Sequence, residues 1–247
     1  MSENLFITQL IELRRRLLYS LCSVAILFGI CYPFSSQLYN LLAYPLLRYL
    51  PDNQGHLVAI DVLSPFTVPL KLTISVSLVL AIPFIAWQLW RFIAPGLYQR
   101  EKRLVAPVIT VSSLLFYTGI LFAYFLVLPT IFQFIVYTTP SNIQMMTDIN
   151  AYLDFVLTIF FAFGLAFQVP IIIILLLHFN ILSIEQLKKQ RPYVIIGAFT
   201  LGMLLTPPDI FSQTFLAIPL YLLFEAGLLW GRFIKTWEND SKSEVNP

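Results

Sequence analysis

The sequence is poor in charged residues, histidine and cysteine. Charged residues make up only 11% of its 247 residues, it has 2 histidines and 2 cysteines, and hydrophobic residues make up 58%. So few charges leave too little polar surface to cover a water-soluble globule. The composition therefore indicates an integral membrane protein, which folds in lipid.

The scarcity of histidine and cysteine also limits the chemistry available to the chain. The sequence has no H-E-x-x-H or G-x-S-x-G motif and no cluster of metal ligands. Cys22 and Cys31 fall on opposite faces of one predicted helix, so they cannot bridge each other. We therefore predict no enzymatic activity, no metal and no other cofactor.

Positive charge is concentrated in a few places. Apart from Arg48 and Lys71, the 15 lysines and arginines lie in four clusters. The clusters are Arg14–Arg16, Arg91–Arg103, Lys188–Arg191 and Arg232–Lys242. Two apolar stretches separate each cluster from the next, which is the positive-inside pattern of a membrane protein with both termini in the cytoplasm. Topology and anionic lipid headgroups explain this charge, so no nucleic-acid partner is expected.

Apolar stretches of about 20 residues predict six transmembrane helices in one all-α membrane domain, residues 1–236. The predicted spans are about 17–38, 66–89, 104–130, 152–179, 193–205 and 210–230. The outer segment between the first two spans has the spacing of short amphipathic helices. The remaining residues, 237–247, are predicted to form a disordered cytoplasmic tail.

The fifth span is too short to cross an unperturbed bilayer. It runs between Pro192 and the pair Pro207-Pro208, and a helix of that length reaches only roughly 20 Å. Two explanations stay open. Either the helix takes in neighbouring residues, or the membrane thins beside it.

A few polar side chains are predicted at or near membrane depth. Gln168 lies near the middle of the fourth span, beside Pro170, and serves either as a contact between helices or as a polar spot in a substrate path. Glu225, near the inner end of the sixth span, is expected to snorkel or to pair with a cytoplasmic arginine such as Arg232. Asp209 is expected to cap the sixth helix at its outer end.

Two carboxylates lie within the basic clusters. Glu12 precedes Arg14–Arg16, and Glu101 lies between Arg100 and Lys102. From spacing alone, the simplest interpretation is a local salt bridge, such as Glu12 with Arg15 or Arg16 one helical turn away.

Several ordered motifs are spread over nearly the whole chain. They are Leu10-Ile11-Glu12-Leu13-Arg14-Arg15-Arg16-Leu17, Asp61-Val62-Leu63-Ser64-Pro65-Phe66, Phe92-Ile93-Ala94-Pro95-Gly96-Leu97-Tyr98, Phe122-Ala123-Tyr124-Phe125, Arg191-Pro192-Tyr193, and Gly202-Met203-Leu204-Leu205-Thr206-Pro207-Pro208-Asp209 with Ser212-Gln213. In this order the motifs resemble those of the TatC family, the core membrane subunit of the twin-arginine protein translocase.

The resemblance implies a cup-shaped bundle of six helices with two short final helices. It also implies a receptor for the twin-arginine signal peptides of folded cargo proteins, which works with TatA and TatB in a larger complex driven by the proton-motive force. By motif position, signal binding would fall to Glu12, Glu101, Arg14, Arg16, Leu17 and Phe92. The candidates on the outer side would be Pro45, Asp61, Tyr124, Asp209 and Gln213.

The sequence departs from the family pattern at Gln168, where many members carry glutamate. A glutamine cannot take up and release a proton at physiological pH, so proton transfer at this position is in doubt. The alternative function is a small-solute or ion transporter, which would need a polar path across the membrane. For such a path the sequence offers only Gln168, Glu225 and Asp209.

Overall fold

A computed structural model of the chain describes residues 2–47, 57–93, 105–138, 146–179, 181–205 and 210–244. Its α-helices are, in chain order, α1 (Ser2–Cys31), α2 (Ser35–Leu47), α3 (Ser64–Ile93), α4 (Val105–Phe122), α5 (Leu128–Thr138), α6 (Ile149–Ala166), α7 (Val169–His178), α8 (Ile184–Lys189), α9 (Arg191–Leu205) and α10 (Ile210–Glu244). A 3₁₀ turn, Tyr32–Phe34, joins α1 to α2, and a π-helical turn, Ala123–Val127, joins α4 to α5.

Within the described residues, five helical stretches are long and apolar enough to cross a membrane. They are Gln9–Tyr44, Ser64–Phe92, Ala106–Thr138, Ile149–His178 and Gln213–Arg232. A shorter apolar helix, Arg191–Leu204, coincides with the predicted fifth span. The all-α membrane class is therefore confirmed, and the count of six spans stays a prediction.

The first and last helical stretches are longer than the sequence predicts. The first extends beyond the predicted 17–38 at both ends, from Ser2 of α1 to Leu47 of α2. It passes Pro33 at the start of the 3₁₀ turn, where the missing N–H of proline costs little. The last, α10, has 35 residues and is not short. It covers positions 237–244 of the predicted disordered tail, because no glycine or proline lies between Gly231 and Glu244 to end the helix earlier.

The short helix α9 takes in one neighbouring segment. It has 15 residues and begins at Arg191, so Pro192 lies in its first turn, where proline is tolerated. At 1.5 Å per residue the helix is still only about 22 Å long. Taking in neighbours therefore lengthens α9 slightly but leaves it shorter than the hydrocarbon layer of a bilayer.

The chain forms two compact units within the predicted membrane domain. The first comprises Met1–Leu114 and Leu128–Leu157. In it, α1 and α2 pack against α3, and the Tyr152 hydroxyl donates a hydrogen bond to the Leu42 carbonyl at 2.6 Å. Two short strands, β1 (Leu57–Val58) and β2 (Thr147–Asp148), pair in parallel. The sequence did not predict this pairing.

The second unit comprises Leu115–Val127 and Thr158–Pro247. In it, α7, α8 and α9 pack against α10 and form one hydrophobic cluster with it. The buried side chains of this cluster are Ile173, Leu177, Leu187, Phe224 and Leu228. The apolar residues that face away from these contacts stay exposed on the unit's surface, as in a protein solvated by lipid.

Candidate functional site

Several charged and polar side chains of α1 lie close together on adjacent turns of the helix. Glu12, Arg16 and Tyr19 are three or four residues apart, which places them on adjacent turns. The Arg16 Nε donates to Glu12 Oε1 at 3.0 Å, and Arg16 Nη2 contacts the same oxygen. Arg15 donates from Nε to the Tyr19 hydroxyl at 3.0 Å. The predicted pairing of Glu12 with an arginine one turn away is confirmed for Arg16.

Helix α3 completes this cluster with residues from its C-terminal end. Gln88 is only 6% exposed, and its Oε1 accepts a hydrogen bond from Arg16 Nη1 at 3.4 Å. Arg91 lies over the Trp87 ring, 5.2 Å from the ring centre. Together these residues border an open cavity of about 340 Å³, here called the α1–α3 cavity. It is lined by Ile11, Glu12, Arg15, Arg16, Tyr19, Gln88 and Arg91.

The α1–α3 cavity contains three guanidinium groups and one carboxylate. The Glu12 side chain is 37% exposed and that of Arg16 is 17% exposed, so the acid is the more accessible partner of the pair. Both hydrogen bonds that the described residues make to this carboxylate end on Oε1. A carboxylate has about four lone-pair sites, so Glu12 keeps capacity for a second charged donor.

The other predicted signal-binding residues that the structure describes do not line this cavity. Leu17 is 62% exposed on α1, and Arg14 is exposed and does not line the cavity. Phe92 is half-buried next to Arg91 at the end of α3. Glu101 lies outside the described residues. The structure thus brings together Glu12 and Arg16 from the predicted set.

Comparison with known proteins identifies the family. The family described as Sec-independent protein translocase protein (TatC) matches residues 8–219. TatC of Escherichia coli strain K12 is 52% identical over 227 residues, which are 92% of this chain and 88% of that protein. TatC of Azotobacter chroococcum mcd 1 is 49% identical over 238 residues, which are 96% of this chain and 93% of that protein.

Solved structures agree. A crystal structure described as the twin arginine translocase receptor TatC has 36% sequence identity and a TM-score of 0.79, and the match covers 91% of this chain and 98% of that one. A second, in the detergent DDM, has 35% identity and a TM-score of 0.81, with 90% and 99% covered. The chain belongs to the TatC family. TatC membership makes it a Sec-independent protein translocase protein and favours that function over the solute-transporter alternative.

In this TatC chain, Gln168 lies at a break between two helices. Helix α6 ends at Ala166 and α7 begins at Val169, with Pro170 in its first turn. The backbone N–H of Gln168 donates to the Leu165 carbonyl at 3.0 Å, and the backbone carbonyl of Gln168 accepts from the Ile172 N–H at 3.0 Å. The predicted fourth span is thus divided into two helices beside Gln168, and the role of its side chain stays a prediction.

Glu225 pairs with an arginine, as predicted, but that arginine is Arg191. Arg191 Nη2 donates to Glu225 Oε2 at 2.7 Å, and the Tyr221 hydroxyl donates to Oε1 at 2.8 Å. Arg232, the example chosen from the sequence, lies close in sequence, whereas Arg191 arrives from α9 through tertiary packing. Two donors from two different helices therefore satisfy this partly buried carboxylate.

The predicted outer-side residues that the structure describes lie in different elements, and their roles stay predictions. Asp61 is exposed before α3, and its carbonyl accepts from the Ser64 amide at 3.0 Å. Tyr124 lies in the π-helical turn, and Gln213 lies in α10 against Gly202. Pro45 is within α2, and Asp209 lies outside the described residues.

Sequence reasoning missed two features. One is the contribution of Gln88 and Arg91 to the α1–α3 cavity; an amide at the inner end of an apolar span was the available signal. The other is an ion pair between α3 and α6, in which Lys71 Nζ lies 3.0 Å and 2.9 Å from the Asp154 carboxylate oxygens. Lys71 is outside the basic clusters, and that isolation was the available signal for an acidic partner on another helix; the pair is exposed.

Proposed function

We propose that this chain is the twin-arginine signal receptor and core subunit of a translocase that exports folded proteins across the bacterial cytoplasmic membrane. It works with TatA and TatB in a larger complex that contains more than one copy of the chain, and it uses the proton-motive force. Both termini face the cytoplasm, on the side of the basic clusters. Support comes from membership of the TatC family, from the charge pattern and from the partly exposed acid of the α1–α3 cavity.

The accessible carboxylate of Glu12 is the observation that carries this proposal. A guanidinium is always charged and presents paired N–H donors that match a carboxylate. Glu12 already holds Arg16 through one oxygen, so an incoming arginine can bind the other or take the place of Arg16. Glu101, in the next basic cluster, binds the second arginine of the signal peptide.

The surrounding arginines add selectivity. Arg15, Arg16 and Arg91 make the cavity positive apart from Glu12, so they repel a ligand that offers charge without the geometry to bind the acid. Lysine has a compact ammonium and cannot form the paired contact. Arg14 strengthens this field, while Leu17 and Phe92 supply apolar surface for the signal residues that follow the arginines.

A photo-crosslinking residue in place of Tyr19, which lines the cavity, tests this function. We expect strong crosslinks to a peptide with paired arginines and about tenfold weaker ones to the same peptide with paired lysines, because lysine loses the bidentate contact. The matched control carries the probe at Leu21, which is 61% exposed on α1 and outside the cavity. Equal crosslinking of both peptides at Tyr19 would refute arginine reading at this site.

Gln168 contributes to transport through hydrogen bonding and not through proton transfer. We expect Gln168→Glu to retain export of a folded reporter and Gln168→Leu to lower it by at least about threefold, the value of one interhelical hydrogen bond in a membrane. Leu165→Ala, at an exposed position of α6, serves as the control. Full export by Gln168→Leu would reduce the role of this side chain to packing.

A further inference from the structure

An apolar groove runs between α9 and α10 in the second compact unit. It encloses about 210 Å³. Its floor is formed by small side chains, Ala198 at 4% exposure and Ala217 at 3%. Its walls include Ile195, Ile218 and Leu222, which remain between 39% and 59% exposed. Small residues under large exposed ones leave an apolar slot on the surface, which a hydrocarbon chain can enter.

The inner end of this α9–α10 groove is polar. Tyr221 lines the groove and donates to Glu225, which also holds Arg191. Arg191 stands one helical turn before Ile195, so its guanidinium lies at the mouth of the slot. Its Nε is buried and has no hydrogen-bond partner among the described residues. A buried donor without an acceptor is unfavourable, so a ligand that brings an acceptor is favoured there.

The charge around this mouth is positive. Lys188 and Lys189 are exposed in the last turn of α8, which directly precedes Arg191. The acids near these three cations are Glu185, in the first turn of α8, and Glu225. The excess of cations selects an anionic ligand. A zwitterionic headgroup would bring its own cation to the same place.

We propose that the α9–α10 groove binds one anionic phospholipid, with an acyl chain in the slot and a phosphate oxygen accepting from Arg191 Nε. The dimensions agree with this orientation. Ile195 and Phe199 lie about 6 Å and 12 Å along α9 from Arg191, so the apolar slot begins below the charged mouth, as a lipid chain begins below its headgroup. The lipid also covers the side of the short helix α9.

Mass spectrometry of the full-length chain, released intact from detergent micelles, measures this binding directly. The chain is mixed with phosphatidylglycerol or with phosphatidylcholine of the same acyl chains. We expect one phosphatidylglycerol to be retained, and retention to fall about fivefold in Arg191→Gln, the effect of one cation near a lipid headgroup. Glu225→Gln should have the opposite effect and raise retention, because it removes the carboxylate that competes for Arg191.

These opposite signs separate lipid binding from a structural role of the ion pair, which would make both substitutions harmful. Ile195→Trp fills the slot and should abolish retention, whereas Ile196→Trp, at a 62% exposed position outside the groove, should not change it. If Arg191→Gln does not fold, Glu225→Gln and the tryptophan pair decide the question. Equal retention of both lipids by the unmodified chain, or unchanged retention in Ile195→Trp, would overturn the proposal.

The outcome is distinguishable from that for signal recognition. The groove and the α1–α3 cavity share no residue and belong to different compact units. Loss of lipid retention in Ile195→Trp, with normal crosslinking of the twin-arginine peptide, would support the lipid site independently of signal recognition.

Discussion

Glu12→Lys is expected to reduce crosslinking of a twin-arginine peptide to background, well over tenfold below the unmodified chain. The substitution removes the one acid among the residues that line the α1–α3 cavity and places a fourth cation beside Arg15, Arg16 and Arg91. A hydrogen bond to a charged group contributes about 1.5–3 kcal/mol, which alone corresponds to roughly ten- to hundredfold in affinity. Repulsion between the new lysine and the signal's arginines adds to that loss.

Two further variants control for this result. Glu12→Gln keeps the shape of the side chain and loses only its charge, so it should give an intermediate loss. Glu185→Lys makes the same charge reversal at an exposed acid of α8, which does not line the cavity, and should leave crosslinking unchanged. Normal insertion of Glu12→Lys into membranes must accompany the loss. Peptide crosslinking at the level of the unmodified chain would exclude Glu12 as an arginine reader.

The second large effect is expected at the crossing of α4 and α6, where two glycines allow a close approach. A Cβ atom added at Gly119 would lie 2.6 Å from the Phe163 carbonyl oxygen and 3.1 Å from the Gly164 Cα. Both are backbone atoms and cannot rotate away, so Gly119→Ala must push the two helices apart. Overpacking of this kind costs about 1–3 kcal/mol, and at about 2–4 °C per kcal/mol for a chain of this size the apparent melting temperature in detergent should fall by roughly 2–12 °C.

The neighbouring glycine provides a graded comparison. At Gly164 the added Cβ would meet atoms of the Phe116 ring, 2.7 Å and 2.9 Å away. A ring can move, so Gly164→Ala should be milder than Gly119→Ala. Gly29→Ala and Gly197→Ala are the matched controls, because nothing lies within 4 Å of a Cβ at either position. An unchanged melting temperature in Gly119→Ala would contradict a close approach of α4 and α6 at this position.

The membrane class and most helix positions could be predicted from the sequence, because hydropathy and positive charge act along the chain. The helix ends could not. The first helical stretch runs to Leu47, beyond the predicted end at residue 38, and α10 continues to Glu244 through polar residues that include no helix breaker. Composition predicts which residues lie in the hydrocarbon layer of the membrane. A helix, however, ends only where its backbone hydrogen bonds are interrupted.

The candidate site divides in the same way. The pairing of Glu12 with Arg16 follows from helical spacing and was predictable. The contact of Arg16 with Gln88 joins residues of different helices, and no periodicity within one helix encodes it. For Glu225, spacing pointed to Arg232 in the same helix, and packing of α9 on α10 supplied Arg191 instead.

The sequence by itself determined that this chain is a membrane protein, which of its segments are apolar, where its positive charge lies and which family motifs it carries. Each of these depends on residue type and on order along the chain. Only the tertiary structure decided which side chains meet: the α1–α3 cavity, the Lys71–Asp154 pair, and the groove between α9 and α10. Those contacts depend on how helices cross, and the crossing depends on small residues and backbone breaks that act in three dimensions.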